Sequence, residues 1–128
     1  LPGDNIGLLI TDTRSGKKLF YAPGLGVAET HVLSAMRDAD CVLVDGTFWT
    51  EDEMITQGLG KKPAASMGHL PQSGAGGMIE ILCGMNKPRK ILIHINNSNP
   101  ILNEESEPGK ILDQQKIQVA HDGMEITI

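Results

Sequence analysis

The sequence predicts an α/β fold, a mixed sheet flanked by helices. Three observations carry that reading. Short apolar, β-branched runs alternate with segments whose apolar residues recur at helical spacing, the pattern of layered α/β domains. Two of the runs, Cys41–Val44 and the one from Lys90 to Ile95, are nearly continuous, as expected of strands buried on both faces. The chain has 128 residues, 40% hydrophobic and 21% charged, which suits a single globular unit over 1–128 and not a disordered segment.

The elements follow in order. Ile6 to Asp12 reads as a strand, and Arg14-Ser15-Gly16-Lys17 as a turn of hairpin length. Lys18–Ala22 is the returning strand, broken by Pro23-Gly24-Leu25-Gly26. Thr30 is placed to cap a helix from His31 to about Ala39, with Val32, Leu33 and Met36 on one face. The strand Cys41–Val44 follows, ending in Asp45-Gly46-Thr47. Glu51–Leu59 starts a short helix, and 60–72 is loop carrying His69. Ser73 or Gly74 opens a helix with Met78, Ile79, Leu82 and Met85 at helical spacing. After the strand Lys90–Ile95 comes the loop Asn96-Asn97-Ser98-Asn99-Pro100. Pro108–Lys116 is a third helix anchored by Ile111 and Leu112. Two strands, Ile117–Ala120 and Met124–Ile128, close the chain around an Asp122-Gly123 turn. The 15 glycines and 7 prolines are dispersed, so they mark tight turns and no linker.

Charge excludes some functions. The net charge is −5, against a non-specific nucleic-acid or anionic-membrane binder, which needs a basic surface. Cys41 and Cys83 are too few for a disulfide framework and form no CxxC pair. No apolar run is long enough to span a bilayer, and a cytoplasmic location is expected. Leu1 in place of an initiator methionine fits a processed product, a trimmed form or part of a longer chain.

Ligands of α/β sheets collect beyond the C-terminal ends of strands, where Asp45 and His94 both fall. Asp45 is either a turn or cap residue or a functional carboxylate. His94 is either a hydrogen-bonded strand-end histidine or a metal ligand whose second ring nitrogen is oriented by a neighbour. Asn96-Asn97-Ser98-Asn99 is one source of such neighbours. His31 and His121 read as surface and turn residues, and His69 as a residue of a glycine-rich loop. No HxxxH, HExxH or HxHxD occurs, and no GxGxxG opens a helix. Gly74-Ala75-Gly76-Gly77 is a candidate for anion binding through backbone N–H groups. Cys41 reads as core, and Cys83 as packed or half-packed on its helix.

Five blocks then stand out together: Phe20–Gly26, Asp40–Trp49, Met67–Gly74, Ile93–Leu102 and Ala120–Met124. In this order they closely resemble the C-terminal part of the coenzyme PQQ synthesis protein B family, within the metallo-β-lactamase superfamily. Only Asn103–Lys116 is generic. The resemblance implies the C-terminal half of an αββα sandwich, without the N-terminal half that carries the superfamily's histidine- and aspartate-rich metal motif. It implies that His94 is a metal ligand. Asp45 and His69 match an acidic residue and a histidine that related hydrolases, such as the tRNA 3′-processing nuclease, keep near the scissile bond. They are the expected catalytic pair, with Thr47, Asn96, Asn97 and Asn99 as substrate contacts. The superfamily's bridging aspartate has no counterpart at Ala22-Pro23, so one divalent metal is expected, iron first and zinc as the alternative.

The function implied is pyrroloquinoline quinone (PQQ) biosynthesis. One form of it is Fe(II)- and O2-dependent hydroxylation of a tyrosine in the precursor peptide, since a mononuclear site with histidine and carboxylate ligands and open positions suits Fe(II). The alternatives are a carrier of the quinone or its precursor towards the periplasm, and a phosphodiesterase or nuclease of the same superfamily. The acidic balance and the missing aspartate argue against the last. Expected partners are the precursor peptide or a PQQ intermediate, and an N-terminal half or a second copy. Neither nucleic acid nor membrane is expected as a partner. The chain by itself is expected to be inactive and prone to self-association through an apolar inner face.

Overall fold

The apolar runs become five strands of one mixed sheet. The structure, a computed structural model, describes residues 5–128; Leu1–Asp4 of the expected unit lie outside them. β1 (Leu8–Thr11) and β2 (Lys18–Ala22) form the predicted hairpin, antiparallel with Leu8 opposite Tyr21 and Ile10 opposite Leu19. Asp12 organises its turn. Its carboxylate accepts from the Arg14 N–H and the Ser15 hydroxyl, and Gly16 takes φ 73°, a left-handed conformation that glycine adopts without steric cost.

β3 (Cys41–Asp45), β4 (Arg89–Ile93) and β5 (Ile117–Val119) follow in parallel, so strand order equals chain order. Four helices make the crossovers: α1 (Thr30–Asp38), α2 (Glu53–Thr56), α3 (Met78–Cys83) and α4 (Glu107–Gln114). Right-handed crossovers that stay on one face move a sheet steadily in one direction. The buried cluster shows that one-sided arrangement. Met36, Met78, Leu82 and Leu112 from the helices pack against Phe20, Ala22, Val42, Val44, Leu92 and Ile117. The alternate strand positions, Ile10, Leu19, Tyr21, Leu43 and Ile93, point to the opposite face, and none of them joins that cluster.

Several boundaries differ from the sequence reading. α1 begins at Thr30, and Glu29 holds the capping position without a side-chain bond. The glycines before Met78 stay outside α3, with Gly74 and Gly76 at φ 83° and 72°. Part of the expected loop is a short 3-10 turn, Ala64–Met67. α4 starts one residue early because the Ser106 hydroxyl accepts from the Gly109 N–H. Leu112 is its anchor, while Ile111 is exposed. Cys83 is exposed and its thiol reaches the Gln115 side chain. The last expected strand does not form: the Asp122-Gly123 turn is there, with the Met124 N–H donating to the His121 carbonyl, but among the described residues Met124–Ile128 pairs with no strand. Among the described residues no helix is long and apolar enough to cross a membrane.

Candidate functional site

The site lies where β3 and β4 end side by side. Asp45 is in register with Ile93, and the Gly46 N–H donates to the Ile93 carbonyl at 2.7 Å. That crossing requires glycine. A Cβ at position 46 would sit 2.8 Å from Leu92 Cβ and 3.0 Å from the Ile93 oxygen. The close approach sets Thr47 beneath His94.

Asp45 is fully buried, yet each of its oxygens has two donors. Oδ1 accepts from the Thr47 N–H at 3.0 Å and the Thr47 hydroxyl at 2.7 Å. Oδ2 accepts from the Leu25 N–H at 2.9 Å and lies 2.7 Å from His69 Nδ1. A buried carboxylate needs such a set, because desolvation without partners is costly. Leu25 sits in the loop after β2. The Leu70 N–H donates to the Leu25 carbonyl at 2.7 Å, so the loop that caps Asp45 also holds the segment carrying His69.

His69 follows Gly68, which ends the 3-10 turn at φ 77°. The Phe48 ring meets His69 edge-on with centroids 5.7 Å apart. His94 is exposed and takes φ 56°, a left-handed conformation that costs a side chain about 1–3 kcal/mol and is concentrated at functional sites. It brings His94 Nδ1 to 2.8 Å from the Thr47 hydroxyl. The rings of His69 and His94 are 22° from parallel with centroids 5.2 Å apart.

Asp45, His69 and His94 therefore form one cluster, each offering a ligand atom within 4.8 Å of the others. Two imidazoles and a carboxylate are donors suited to zinc or iron. Because both Asp45 oxygens are engaged, the atoms left for a cation are on the two rings.

The other expected site residues fall differently. The Thr47 hydroxyl is turned inward onto Asp45 and the two histidines. Asn99 is buried. Its amide donates to the Gly46 carbonyl at 3.0 Å and to Gln72 Oε1 at 2.7 Å, and its Oδ1 accepts from the Ile101 N–H. It braces the Gly46 crossing and has no atom free for a substrate. Asn96 bonds the Ser98 hydroxyl, and Asn97 is exposed. Thr47, not this asparagine run, partners the inner nitrogen of His94. His31 pairs with Glu29 at 3.4 Å and His121 with its neighbour's carbonyl; neither joins the cluster. The anion candidate at Gly74–Gly77 has its Gly76 N–H bonded to Glu80.

Sequence reasoning missed Glu53. It is buried on α2, accepts from the Trp49 N–H at 2.8 Å and bonds the Ser98 hydroxyl. It ties the loop after β3 to the loop after β4. No spacing signal marks it, because its partners lie 4 and 45 residues away.

A one-sided mixed sheet with a histidine–carboxylate cluster at the ends of its central strands defines a metallo-β-lactamase-like domain. The chain belongs to this family: the family described as Beta-lactamase superfamily domain matches residues 1–95. Among curated relatives, coenzyme PQQ synthesis protein B of Pseudomonas syringae pv. syringae is 57% identical over 99% of this chain. The protein of the same name from Stutzerimonas stutzeri is 62% identical over 98%. The structure of Zn(2+)-bound PqqB from Methylobacterium extorquens matches with a TM-score of 0.89 and 34% identity, over 95% of this chain. The chain spans 42% and 41% of those two relatives and 43% of that structure.

Proposed function

We propose that this chain takes part in PQQ biosynthesis as the His94-bearing part of a site for one divalent metal. The observation that carries the proposal is the convergence of Asp45, Thr47, His69 and His94 at the ends of β3 and β4. The names of relatives at 54–62% identity and the zinc of the M. extorquens protein support it.

His94 offers its outer nitrogen to the metal. An open catalytic site uses about three protein ligands, and this chain supplies one or two imidazoles. The remainder come from polypeptide corresponding to the part of the relatives that this chain does not span. The metal, iron in this reading, supplies O2 chemistry when bound. The chain's own residues do the rest. Asp45 fixes the His69 ring, and His69 orients the tyrosine phenol of the precursor peptide and holds or passes its proton. Burial of Asp45 keeps water from competing for that contact.

The test is to incubate a full-length protein containing this chain with Fe(II), O2 and the precursor peptide, and to follow the peptide by mass spectrometry. A single added oxygen on the tyrosine, lost in His94→Ala, is expected. An unmodified peptide, with tight metal-free binding of the quinone, would overturn the oxygenase reading in favour of a carrier.

A further inference from the structure

One hydroxyl in the site has more neighbours than it has hydrogens. Thr47 Oγ1 lies 2.7 Å from Asp45 Oδ1, 2.8 Å from His94 Nδ1, 2.8 Å from the His94 carbonyl oxygen and 3.1 Å from His69 Nδ1. A threonine hydroxyl carries one proton and two acceptor lone pairs. The proton goes to Asp45, the charged acceptor and the shortest contact, since a bond to a carboxylate is about twice as strong as a neutral one. The His94 carbonyl shares it at best as the weaker arm of a three-centre bond. With the proton so placed, His94 Nδ1 at 2.8 Å must bring a hydrogen of its own, or two lone pairs would face each other.

The same count fixes His69. Its Nδ1 lies 2.7 Å from Asp45 Oδ2, an acceptor only, so this nitrogen is a donor too. Both rings then carry hydrogen on Nδ1, and in the neutral imidazole form the outer nitrogen of each is bare.

We propose that Thr47 is a positioning residue that sets the tautomer of His94, as Asp45 sets that of His69. The carboxylate of Asp45 thus acts on both histidines, on His69 directly and on His94 through this one hydroxyl. The strained backbone of His94 is the geometric counterpart, since φ 56° is what brings Nδ1 within reach of Thr47. A ring held with its outer nitrogen unprotonated is ready to ligate a cation without first moving a hydrogen. Neighbours that orient ligand histidines in this way are worth 10–100-fold in metal affinity.

The test uses a metal-free full-length protein containing this chain, with histidine labelled in 15N, in mildly alkaline buffer where free imidazole is neutral. The native chain should show a protonated Nδ1 and a bare Nε2 on His94. Thr47→Val should move His94 toward the Nε2–H form while leaving His69 unchanged, and should weaken Zn2+ binding about 10–100-fold. Thr47→Ser should restore both signals, which a merely space-filling role would not require. A bare Nδ1 on His94 in the native chain overturns the proposal, as does a Thr47→Val ring spectrum identical to the native one. If Thr47→Val fails to fold, the native and Thr47→Ser spectra decide. The zinc consequence rests on the metal reading above, whereas the ring-nitrogen signal does not, so the two fail separately.

Discussion

Gly46 shows how one residue controls the site. It has no functional atom, but its lack of a side chain lets the turn after β3 cross directly over β4. Gly46→Ala would drive a methyl into Leu92 Cβ and the Ile93 carbonyl. Overpacking of this kind costs about 1–3 kcal/mol, read as a lower urea midpoint. The displaced turn would also carry Thr47 away from His94, so the His94 ring signals should shift with the stability. Stability loss without that shift would mean that the turn does not position Thr47. Asp45 and His94 were legible in the sequence because each ends an apolar run, and the end of a parallel strand is where polar groups gather. The link between them was not. Thr47 and His94 are 47 residues apart, and Asp45 and His69 are 24 apart. The left-handed backbone of His94 leaves no trace in composition either.

Elements driven by local chemistry were legible, and those that need partners were less so. The β1–β2 hairpin follows from Asp12 and Gly16, both within its own turn. The Met124–Ile128 segment carries an equally plain alternation and a real turn, yet forms no ladder. β5 has only three residues, and so short a pairing returns few backbone bonds for the ordering it requires. The junction of β2 with β3 rests on Asp40. Its carboxylate accepts the Lys18 N–H at 2.8 Å and lies 3.6 Å from the Lys17 ammonium. The Lys18 N–H first, and nearby lysines second, hold Asp40 below the ordinary carboxylate value. A depressed pKa adds stability that is full above the unfolded-state value and is lost as pH falls through the folded-state value. Asp40→Asn should therefore be less stable than the native chain at neutral pH, with the difference shrinking as the pH is lowered through the acid range. Thermal melts across that range would show it, and a difference independent of pH would remove Asp40 as its source.

The molecule as a whole leaves one sheet face open at its β1–β2 end, although Cys41 and Ile91 on the same side are fully buried. Leu8, Ile10 and Tyr21 are 45%, 50% and 37% exposed, and register places them on the same side as Leu19, Leu43 and Ile93. Among the described residues β1 adds an unpaired edge with four exposed residues in a row. An open edge beside an apolar face is a template for association. Only the net charge of −5 opposes contact between copies, and salt screens that repulsion. The isolated chain should self-associate as its concentration rises, more strongly at higher ionic strength, as followed by sedimentation velocity. Ile10→Lys places a charge on the edge and the face together, so it should return the chain to monomer while leaving the buried helix-side cluster and its circular dichroism intact. A native chain that stays monomeric at every concentration and unfolds in one sharp transition would show that the uncovered face needs no second surface.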